Sequence, residues 1–406
     1  MNQRAVMRFP ISAGAAGLPA CVAALRAVLH TDTAPLGLVP AGSAPHERAM
    51  AAAVEADAPV AGDEAGVILP TSGATGEPRG VVLGRAGLRA AARLSMTPIG
   101  PPGLWLAALP LTSIGGLMCV VRAAESEFDP VAWPGIGGAE RFTPESFAAT
   151  AQETVLQAQH LGVPAYTSLV PTQLTRVLRS GTATDALAGF RRVLVGGAAL
   201  SPRTRAIAES RGIKIMTTYG ATETCGGVIY DGAPLAEVDV TITEAGTIAV
   251  GGPTLALGYR FRPDLDREHF VDGRFLTADL GRWRDGHLDV LGRSDNVIKV
   301  GGVKVSTTAV TEALLSHPRV LDALTVAVPN AEWGLVPTAY VVLDDPIPEA
   351  ALAAMREELS DLVSERCGRA ARPREIVVGS ELPQLPSGKA GIFGGKHPSG
   401  RDSRPT

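Results

Sequence analysis

This sequence has few aromatic residues, no excess of basic over acidic residues and no long apolar run. Phe, Trp and Tyr make up 4% of the 406 residues, and the formal net charge is −4. Nucleic-acid-binding domains usually combine a basic face with aromatic stacking surfaces, so we expect no nucleic-acid partner. Because no stretch reaches the roughly 18 apolar residues that a membrane-spanning helix needs, we expect no membrane span.

Cysteine is also sparse, and the four thiols (Cys21, Cys119, Cys225 and Cys367) lie far apart without a CxxC pair. This distribution argues against a disulfide framework and, with the dispersed histidines, against a zinc site. The N-terminal segment has early arginines and an apolar stretch, as signal peptides do, but prolines and glycines interrupt it. We therefore expect free thiols and a cytoplasmic location.

The sequence does contain ample apolar material in alternating patterns. Hydrophobic residues make up 46% and charged residues 19% of the chain, and the length indicates more than one domain. The segment Arg191–Gly197 is typical of a buried strand, and the helix after it has Ser201 as its cap and Pro202 as its first residue. With the next strand, Ile213–Gly220, this makes a strand–helix–strand unit, and Thr143 before Pro144 predicts the start of another helix in the same way. Such alternation predicts an α/β fold.

Beyond about residue 294 the pattern changes to short helices between strands, which is typical of a small α+β domain. In its last helix, Leu352, Met355, Leu359 and Leu362 recur at helical spacing and predict one buried stripe. We therefore predict a large N-terminal domain of strand–helix–strand units over residues 1–294 and a small mobile domain over 295–391. The glycine-, proline- and charge-rich segment 392–406 is predicted to be disordered.

The stretch Thr71–Gly80, TSGATGEPRG, follows the apolar run AGVILP. Its glycines and hydroxyls suit a concave backbone that holds anions, and Arg79 adds a planar fork of donors for phosphate oxygens. It is not a Walker A loop, which needs Gly-Lys-Ser/Thr before a helix, because Pro78 to Gly80 precede a predicted strand. From these residues alone, a phosphate-binding loop between two strands and an ordinary glycine-rich turn both remain open.

Further segments occur in a fixed order along the chain: TSGATGEPRG, LPLTSIGGL, LVGGAAL, TTYGATET, GRFLTADLGRW, LGRSDNVIKVGGVKV and LPQLPSGK. In this order they resemble the adenylate-forming superfamily of acyl- and aryl-CoA synthetases, luciferases and peptide-synthetase adenylation domains. The resemblance extends from about residue 64 to Lys389. The segment Tyr166–Leu174, YTSLVPTQL, is in addition similar to o-succinylbenzoate–CoA ligases of menaquinone biosynthesis.

The resemblance implies a two-step ligase reaction. A carboxylate attacks the α-phosphate of ATP to give an acyl-adenylate and pyrophosphate, and the thiol of coenzyme A then displaces AMP. Mg²⁺ is expected to accompany the ATP, and o-succinylbenzoate is the expected acid. The alternatives are another aryl- or acyl-CoA ligase, loading of a carrier protein, and a degenerate adenylate-binding protein without ligase activity.

The resemblance also implies which residues contact the nucleotide. Tyr219 is expected to flank the adenine, Thr222 to bond the α-phosphate, and Asp279 with Arg293 to hold the ribose hydroxyls. Glu223 is expected to hold Mg²⁺, for which a carboxylate is a suitable ligand. The full set of expected nucleotide contacts is Thr71, Ser72, Gly73, Thr75, Gly76, Arg79, Gly196, Gly197, Ala198, Tyr219, Gly220, Thr222, Asp279 and Arg293.

Two further positions concern the small domain. Asp295 matches the hinge between the domains, and Lys389 matches the lysine that contacts both the carboxylate and the α-phosphate during adenylation. Together with Arg79, Thr222 and Glu223, Lys389 completes the expected catalytic set. Rotation of the small domain would then open the route for the thiol, near the glycines of VGGVKV.

The chain departs from the family pattern at several places. Arg79 stands where lysine is usual, Ala74 where threonine is usual, and Ser113 where many relatives have histidine. The sequence after Lys389, AGIFGGKHPSG, also differs from the family pattern. An arginine keeps the charge at the phosphate loop but changes its reach and donor geometry.

The acid pocket is expected to contain Ser113, Ser168, Thr172 and Gln173. A dicarboxylate needs hydrogen-bond donors for its spectator carboxylate, because a buried unpaired carboxylate is very costly. The alternative is a helix start at SLVPTQL, with Thr172 and Gln173 facing water.

Overall fold

The computed structural model describes residues 3–72, 78–330, 332–345 and 347–383. Its helices are α1 (Leu18–His30), α2 (Pro45–Val54), α3 (Arg85–Ile99), α4 (Ile114–Ala124), α5 (Pro144–Leu161), α6 (Pro171–Val177), α7 (Gly181–Ala188), α8 (Pro202–Ser210), α9 (Pro263–His269), α10 (Thr307–Leu315) and α11 (Glu349–Cys367). Within the described ranges, no helix has the length and hydrophobicity that a bilayer crossing needs.

The strands form several sheets and are numbered here along the chain. They are β1 (Gln3–Arg4), β2 (Met7–Ile11), β3 (Leu36–Pro40), β4 (Val60–Ala61), β5 (Ala65–Ser72), β6 (Pro78–Gly84), β7 (Leu104–Ala107), β8 (Val131–Ala132), β9 (Ala165–Leu169), β10 (Arg192–Gly196), β11 (Ile215–Ala221), β12 (Gly226–Tyr230), β13 (Ala233–Pro234), β14 (Asp239–Ile242), β15 (Thr247–Gly251), β16 (Gly258–Tyr259), β17 (Phe270–Val271), β18 (Arg274–Arg284), β19 (His287–Arg293), β20 (Val297–Val300), β21 (Val303–Ser306), β22 (Val320–Asn330), β23 (Gly334–Leu343) and β24 (Glu375–Gly379).

The large domain contains three main sheets. The first has the order β13-β12-β11-β10-β9-β7-β8, and its strands from β8 to β11 run parallel. The second has the order β16-β6-β5-β3-β2, and the third joins β14, β15, β18, β17 and β19. Ligands of parallel α/β sheets bind beyond the carboxyl ends of the strands, so the ends of β10 and β11 mark the expected site.

Local sequence signals predicted several element boundaries correctly. Helix α5 begins after Thr143, whose hydroxyl accepts a hydrogen bond from the Ser146 N–H at 3.2 Å. Helix α8 begins after Ser201, whose hydroxyl accepts from the Thr204 N–H at 3.0 Å. The segment that contains the phosphate-loop motif joins two antiparallel strands, β5 and β6, and its residues 73–77 lie outside the described ranges.

The small domain has its own sheet, β21-β20-β23-β22 with β24 beside β23, and helices α10 and α11 pack against it. Its apolar core runs from Ile298 to Ile376 and is separate from the large core that spans Leu18 to Leu288. On α11, Met355 and Leu359 are buried as predicted, while Leu352 and Leu362 are half-buried at the edge of the stripe. The segment 392–406, predicted to be a disordered tail, lies outside the described residues.

Helix α8 of the large domain contacts the first residues of β22 in the small domain. The Ser201 hydroxyl donates to the Val320 carbonyl at 3.4 Å, and the Thr204 hydroxyl donates to the Leu321 carbonyl at 2.7 Å. Ile207, one turn further along α8, packs on the apolar cluster that contains Leu321. The start of one helix therefore holds the edge of the other domain.

Charged residues make a second set of contacts between the domains. Glu381 of the small domain accepts hydrogen bonds from Arg141 and Arg176 of the large domain. Arg179 donates to the Ser380 carbonyl beside it. These contacts fix the small domain over α6, next to the cleft described below.

Candidate active site

A cleft of about 2030 Å³ opens at the carboxyl ends of β10 and β11. The large domain contributes β6, β18 and β19 to its wall, and the small domain contributes α10 and β22. The predicted site residues that the structure places in this wall are Thr71, Arg79, Ser113, Ser168, Thr172, Gly196, Gly197, Ala198, Tyr219, Gly220, Thr222, Glu223, Asp279, Arg293 and Asp295. Residues far apart in sequence thus face one space.

The phosphate corner is built on the β5–β6 pair, where Thr71 lies opposite Arg79. The Thr71 hydroxyl donates to the Arg79 carbonyl at 3.4 Å, which ties the two strands at the mouth of the loop. The predicted contacts Gly73, Thr75 and Gly76 lie outside the described residues, as does the side chain of Ser72. A permanent cation therefore faces the cleft from the strand that leaves the loop.

Glu223 lies on a 3-10 turn, Thr222–Thr224, directly after β11. The Thr224 hydroxyl holds this turn, since it accepts from the Ala221 N–H at 2.9 Å and donates to the Gly226 carbonyl at 2.8 Å. Glu223 Oε1 accepts a hydrogen bond from the hydroxyl of Tyr259 at 2.7 Å. Sequence reasoning did not select Tyr259.

The chemistry of this corner fits Mg²⁺ that arrives with a triphosphate. Among the described residues, no group of three or more His, Cys, Asp or Glu side chains could hold a metal by itself. Mg²⁺ keeps several waters and binds through one or two carboxylates plus substrate phosphates, so a single carboxylate suffices. Glu223, which lines the cleft with Arg79, is such a carboxylate.

The ends of β10 and β11 present backbone to the cleft. Gly197, directly after β10, has a φ of 82°, which favours glycine. At Gly220 a side-chain carbon would overlap the carbonyl of Gly226 on the paired strand β12, so only glycine fits. Ala198 and Gly196 line the same wall. A flat ligand can therefore approach the main chain closely here.

Asp279 and Arg293 are cross-strand partners on β18 and β19. Asp279 Oδ2 accepts from the hydroxyl of Tyr219 at 2.7 Å, and Arg293 Nη1 lies 3.7 Å from Asp279 Oδ1. Burial, together with the adjacent Asp279 charge, raises the pKa of Tyr219, so its hydroxyl remains a donor. Carboxylate, phenol and guanidinium thus form one hydrogen-bonding edge that suits a vicinal diol.

Ser113 is the N-cap of α4. Its hydroxyl accepts from the Gly116 N–H at 3.3 Å and donates to the Pro110 carbonyl at 2.7 Å. It lines the cleft, but its hydrogen-bonding capacity is used largely by the main chain. At this position the chain has a helix cap in place of the titratable imidazole that many relatives have.

The predicted pocket residues of β9 and α6 differ in placement. Ser168 and Thr172 are buried and line the cleft. Gln173 is buried too but is not part of the cleft wall: its Oε1 accepts from the Val170 N–H at 3.1 Å, and its Nε2 donates to the Ala108 carbonyl at 3.3 Å. The direct substrate contact predicted for Gln173 is therefore corrected to support of the pocket loop.

Sequence reasoning also missed Arg122, which lines the cleft and is 6% exposed. Its Nε donates to the Ser95 hydroxyl at 2.9 Å, its Nη2 donates to the Tyr230 hydroxyl at 3.0 Å, and its guanidinium lies 5.0 Å from the ring centroid of Trp105. Within the described ranges no carboxylate forms an ion pair with it. The sequence feature that could have identified Arg122 is its position as the single charged residue of the apolar helix IGGLMCVVRAA.

The small-domain residues of the prediction do not share one site in the described part of the chain. Asp295 lies at the cleft, where both its carboxylate oxygens accept hydrogen bonds from Arg293. Gly301, from VGGVKV, lies in a separate concavity with Trp333 and Arg374, away from the cleft. Lys389 lies outside the described residues. In this arrangement the expected thiol-side glycines and the nucleotide residues are therefore apart.

Comparison with known proteins gives two family matches. The model of the AMP-binding enzyme family matches residues 14–260, and that of the AMP-binding enzyme C-terminal domain matches residues 309–389. The chain is 37% identical over 335 residues to the probable 2-succinylbenzoate–CoA ligase of Mycobacterium tuberculosis, covering 80% of this chain and 82% of that protein. It is 31% identical over 352 residues to the 2-succinylbenzoate–CoA ligase of Bacillus licheniformis, covering 80% and 69%.

Solved structures share the fold. The o-succinylbenzoate CoA synthetase of Bacillus subtilis, in complex with its acyl-adenylate intermediate, aligns with a TM-score of 0.71 at 23% identity and covers 95% of this chain and 86% of that chain. An anthranilate CoA ligase in complex with anthranoyl-AMP aligns with a TM-score of 0.69 at 19% identity, covering 95% and 76%. The chain belongs to the AMP-binding enzyme family and is an AMP-forming acid–CoA ligase.

Proposed function

We propose that this ligase activates o-succinylbenzoate with ATP through an acyl-adenylate and transfers the acyl group to coenzyme A, giving o-succinylbenzoyl-CoA as in menaquinone biosynthesis. The names of the two curated relatives described above support this substrate. The observation that carries the proposal is Arg122, a buried cation in the wall of the reaction cleft.

A buried charge without a counter-ion costs much more free energy than one that is paired. In the described structure, Arg122 donates to the hydroxyls of Ser95 and Tyr230 and lies over the ring of Trp105, and no carboxylate of a described residue pairs with it. An anionic ligand would complete this environment. o-Succinylbenzoate has two carboxylates, so the ring carboxylate can bind Arg122 while the succinyl carboxylate reacts with ATP. A fatty acid or an unsubstituted benzoate would leave the arginine unpaired.

At the nucleotide end we assign the roles that the family resemblance implies. Arg79 and Thr71 bind the pyrophosphate side, Thr222 bonds the α-phosphate, and Glu223 holds the Mg²⁺, which supplies charge neutralisation on the phosphate oxygens. Two anions meet in this step, so donors that are already in place lower its barrier.

The remaining assignments concern the ribose and the small domain. Asp279 with Arg293 holds the ribose, Asp295 is the hinge, and Lys389 stabilises the charge of the adenylation step. The small domain, proposed as residues 295–391, then rotates for thioester formation. The free cysteines of the described chain accord with a reducing compartment, and we propose the cytoplasm.

The test compares two acids. 4-Oxo-4-phenylbutanoate is o-succinylbenzoate without the ring carboxylate, and AMP release and thioester formation are followed for both. We expect kcat/KM to favour o-succinylbenzoate by roughly 100-fold, since hydrogen bonds to a charged group contribute about 1.5–3 kcal/mol each. In Arg122→Met, which removes the charge but keeps an extended side chain, this preference should be lost.

The matched control is Arg89→Met on α3, an exposed arginine paired with Glu125, which should keep the preference. Equal use of both acids by the unaltered enzyme would overturn the assignment of the substrate. A preference for o-succinylbenzoate that survives in Arg122→Met would overturn the role assigned to Arg122 and leave the substrate assignment standing. Turnover of a different aryl acid alone would favour another aryl-CoA ligase.

A further inference from the structure

Tyr259 contacts both charged groups of the phosphate corner. It lies on β16, opposite Val81 of β6, and is 5% exposed. Its hydroxyl donates to Glu223 Oε1 at 2.7 Å, and the guanidinium carbon of Arg79 lies 5.8 Å from its ring centroid. One side chain therefore connects the carboxylate assigned to Mg²⁺ with the cation assigned to the phosphates.

The segment that carries Tyr259 is held on both sides. The Ala256 N–H donates to the Glu223 carbonyl at 2.8 Å, and the Arg260 N–H donates to the Gly80 carbonyl at 2.7 Å. The buried guanidinium of Arg260 donates to main-chain carbonyls of a neighbouring loop, those of Val54, Glu55, Ala58 and Pro59. The phenol is thus presented to Glu223 by a short segment that is tied to the main chain of Glu223, of β6 and of the loop after α2.

The surroundings of the ring limit its movement further. Tyr259 packs edge-on against His269 and Phe270, with ring centroids 5.9 and 5.8 Å away. Its N–H donates to Asp266 Oδ1 at 2.7 Å. Contacts on several sides therefore set the position of its hydroxyl, and that position fixes one oxygen of Glu223.

A neutral donor at this point has a specific chemical effect. A phenol is protonated at neutral pH, and this hydroxyl donates to Glu223 Oε1 at 2.7 Å. The tyrosine hydroxyl orients the Glu223 carboxylate without neutralising it, whereas a direct ion pair with Arg79 would neutralise both groups. Within the described residues, no ion pair joins Arg79 to Glu223, and the tyrosine contacts both.

We propose that Tyr259 is a positioning residue that holds Glu223 for Mg²⁺ and keeps its carboxylate apart from Arg79. This inference rests on the proposed Mg·ATP chemistry but is independent of the identity of the acid. Hydrogen-bonding partners of metal ligands typically contribute roughly 10- to 100-fold to metal affinity. Tyr259 should accordingly affect the binding of ATP with Mg²⁺ and have little effect on ATP alone.

The experiment is a calorimetric binding titration without acid or coenzyme A. A non-hydrolysable ATP analogue is titrated into the full chain, once with Mg²⁺ and once with a chelator. For Tyr259→Phe, which keeps the ring packing, we expect the gain in affinity from Mg²⁺ to fall by about tenfold or more, with chelator affinity unchanged. Glu223→Gln should lose the same gain.

Tyr166→Phe is the matched control. Tyr166 is a buried tyrosine outside the cleft wall, and its hydroxyl also makes a 2.7 Å hydrogen bond, to the Pro101 carbonyl. This variant should keep the full effect of Mg²⁺. A Tyr259→Phe protein that keeps it too would overturn the proposal, as would equal losses with and without Mg²⁺. Failure of o-succinylbenzoate as substrate would not change any of these outcomes.

Discussion

Arg293 donates two hydrogen bonds to Asp295, through Nε at 2.8 Å and through Nη2 at 2.6 Å. Its third nitrogen, Nη1, lies 3.7 Å from Asp279. These two carboxylates raise the pKa of the Arg293 guanidinium above its ordinary value, chiefly through the hydrogen bonds to Asp295. The residue proposed to hold the ribose and the residue proposed as the hinge are therefore held by one planar side chain.

We expect Arg293→Lys to raise the KM for ATP by about tenfold, with little change in the KM for the acid. Lysine keeps the charge but cannot make the paired hydrogen bonds of a guanidinium, and a hydrogen bond to a charged group contributes about 1.5–3 kcal/mol. Steady-state kinetics with each substrate varied would measure this. Arg284→Lys, at an exposed pair with Asp289, is the control, and an equal rise there would contradict the assignment.

Asp322 gives a prediction about pH. It is buried on β22, and burial raises the pKa of its carboxyl from 3.8 to about 7, although the Ala323 N–H and the charge of Arg176 oppose the rise. The folded protein thus keeps a proton that the unfolded chain releases, so stability is lost as pH rises from about 4 to about 7. Above this range the loss should be constant.

In Asp322→Asn this titration is absent. We therefore expect the variant to match the unaltered protein near pH 4 and to become more stable relative to it as pH rises towards 7. Thermal unfolding across this range would measure the difference. Asp57→Asn, at an exposed aspartate, is the control and should show no stability difference that increases with pH. A difference that is constant with pH would refute the buried titration.

Glu381→Gln tests the ionic contact between the domains. The charge of Glu381 faces Arg141 and Arg176 across the interface. Because partly exposed ion pairs contribute only about 0–1 kcal/mol, we expect a small effect: adenylate formation slowed roughly two- to fivefold, and thioester formation from supplied adenylate not slowed. Glu209→Gln, which removes a pair within the large domain, should change neither half-reaction.

Lys389→Ala should slow adenylate formation by about 100-fold, the usual cost of removing one group that stabilises developing charge. Thioester formation from supplied adenylate should change much less, since the lysine is proposed to act only in the first step. Pyrophosphate exchange and single-turnover thioester formation measure the two halves. Lys214→Ala, at an exposed lysine, is the control. Equal slowing of both halves would remove Lys389 from its proposed role.

Much of the fold could be predicted from the sequence because its signals are local. Thr143 and Ser201 cap α5 and α8 as expected, since a hydroxyl before proline satisfies the first free N–H groups of a helix. The ordered motifs also indicated the residues that the structure brings to one cleft. Helix caps and strand ends depend on neighbours a few residues away, which a single sequence displays directly.

Sequence reasoning missed Arg122 and assigned Gln173 a different role because it did not identify the hydrogen-bond partners of these side chains. Arg122 depends on Ser95 and Tyr230, which lie on other elements and come together only in the folded chain. The supporting role of Gln173 was readable in principle, because it stands three positions after the cap residue Val170, where glutamine reaches back to the main chain. An expected ligand contact had taken precedence over that local signal.

The hydroxyl of Ser201 takes part both in the cap of α8 and in the contact between the domains. Its oxygen accepts from the Thr204 N–H to start α8, while its hydrogen has the Thr204 hydroxyl at 3.3 Å and the Val320 carbonyl at 3.4 Å as acceptors. Separation of the domains would break the bond to Val320 and the 2.7 Å bond from the Thr204 hydroxyl to the Leu321 carbonyl, whereas the cap hydrogen bond lies within the large domain. The first turn of α8 therefore keeps its cap hydrogen bond whether or not the small domain is in contact with it.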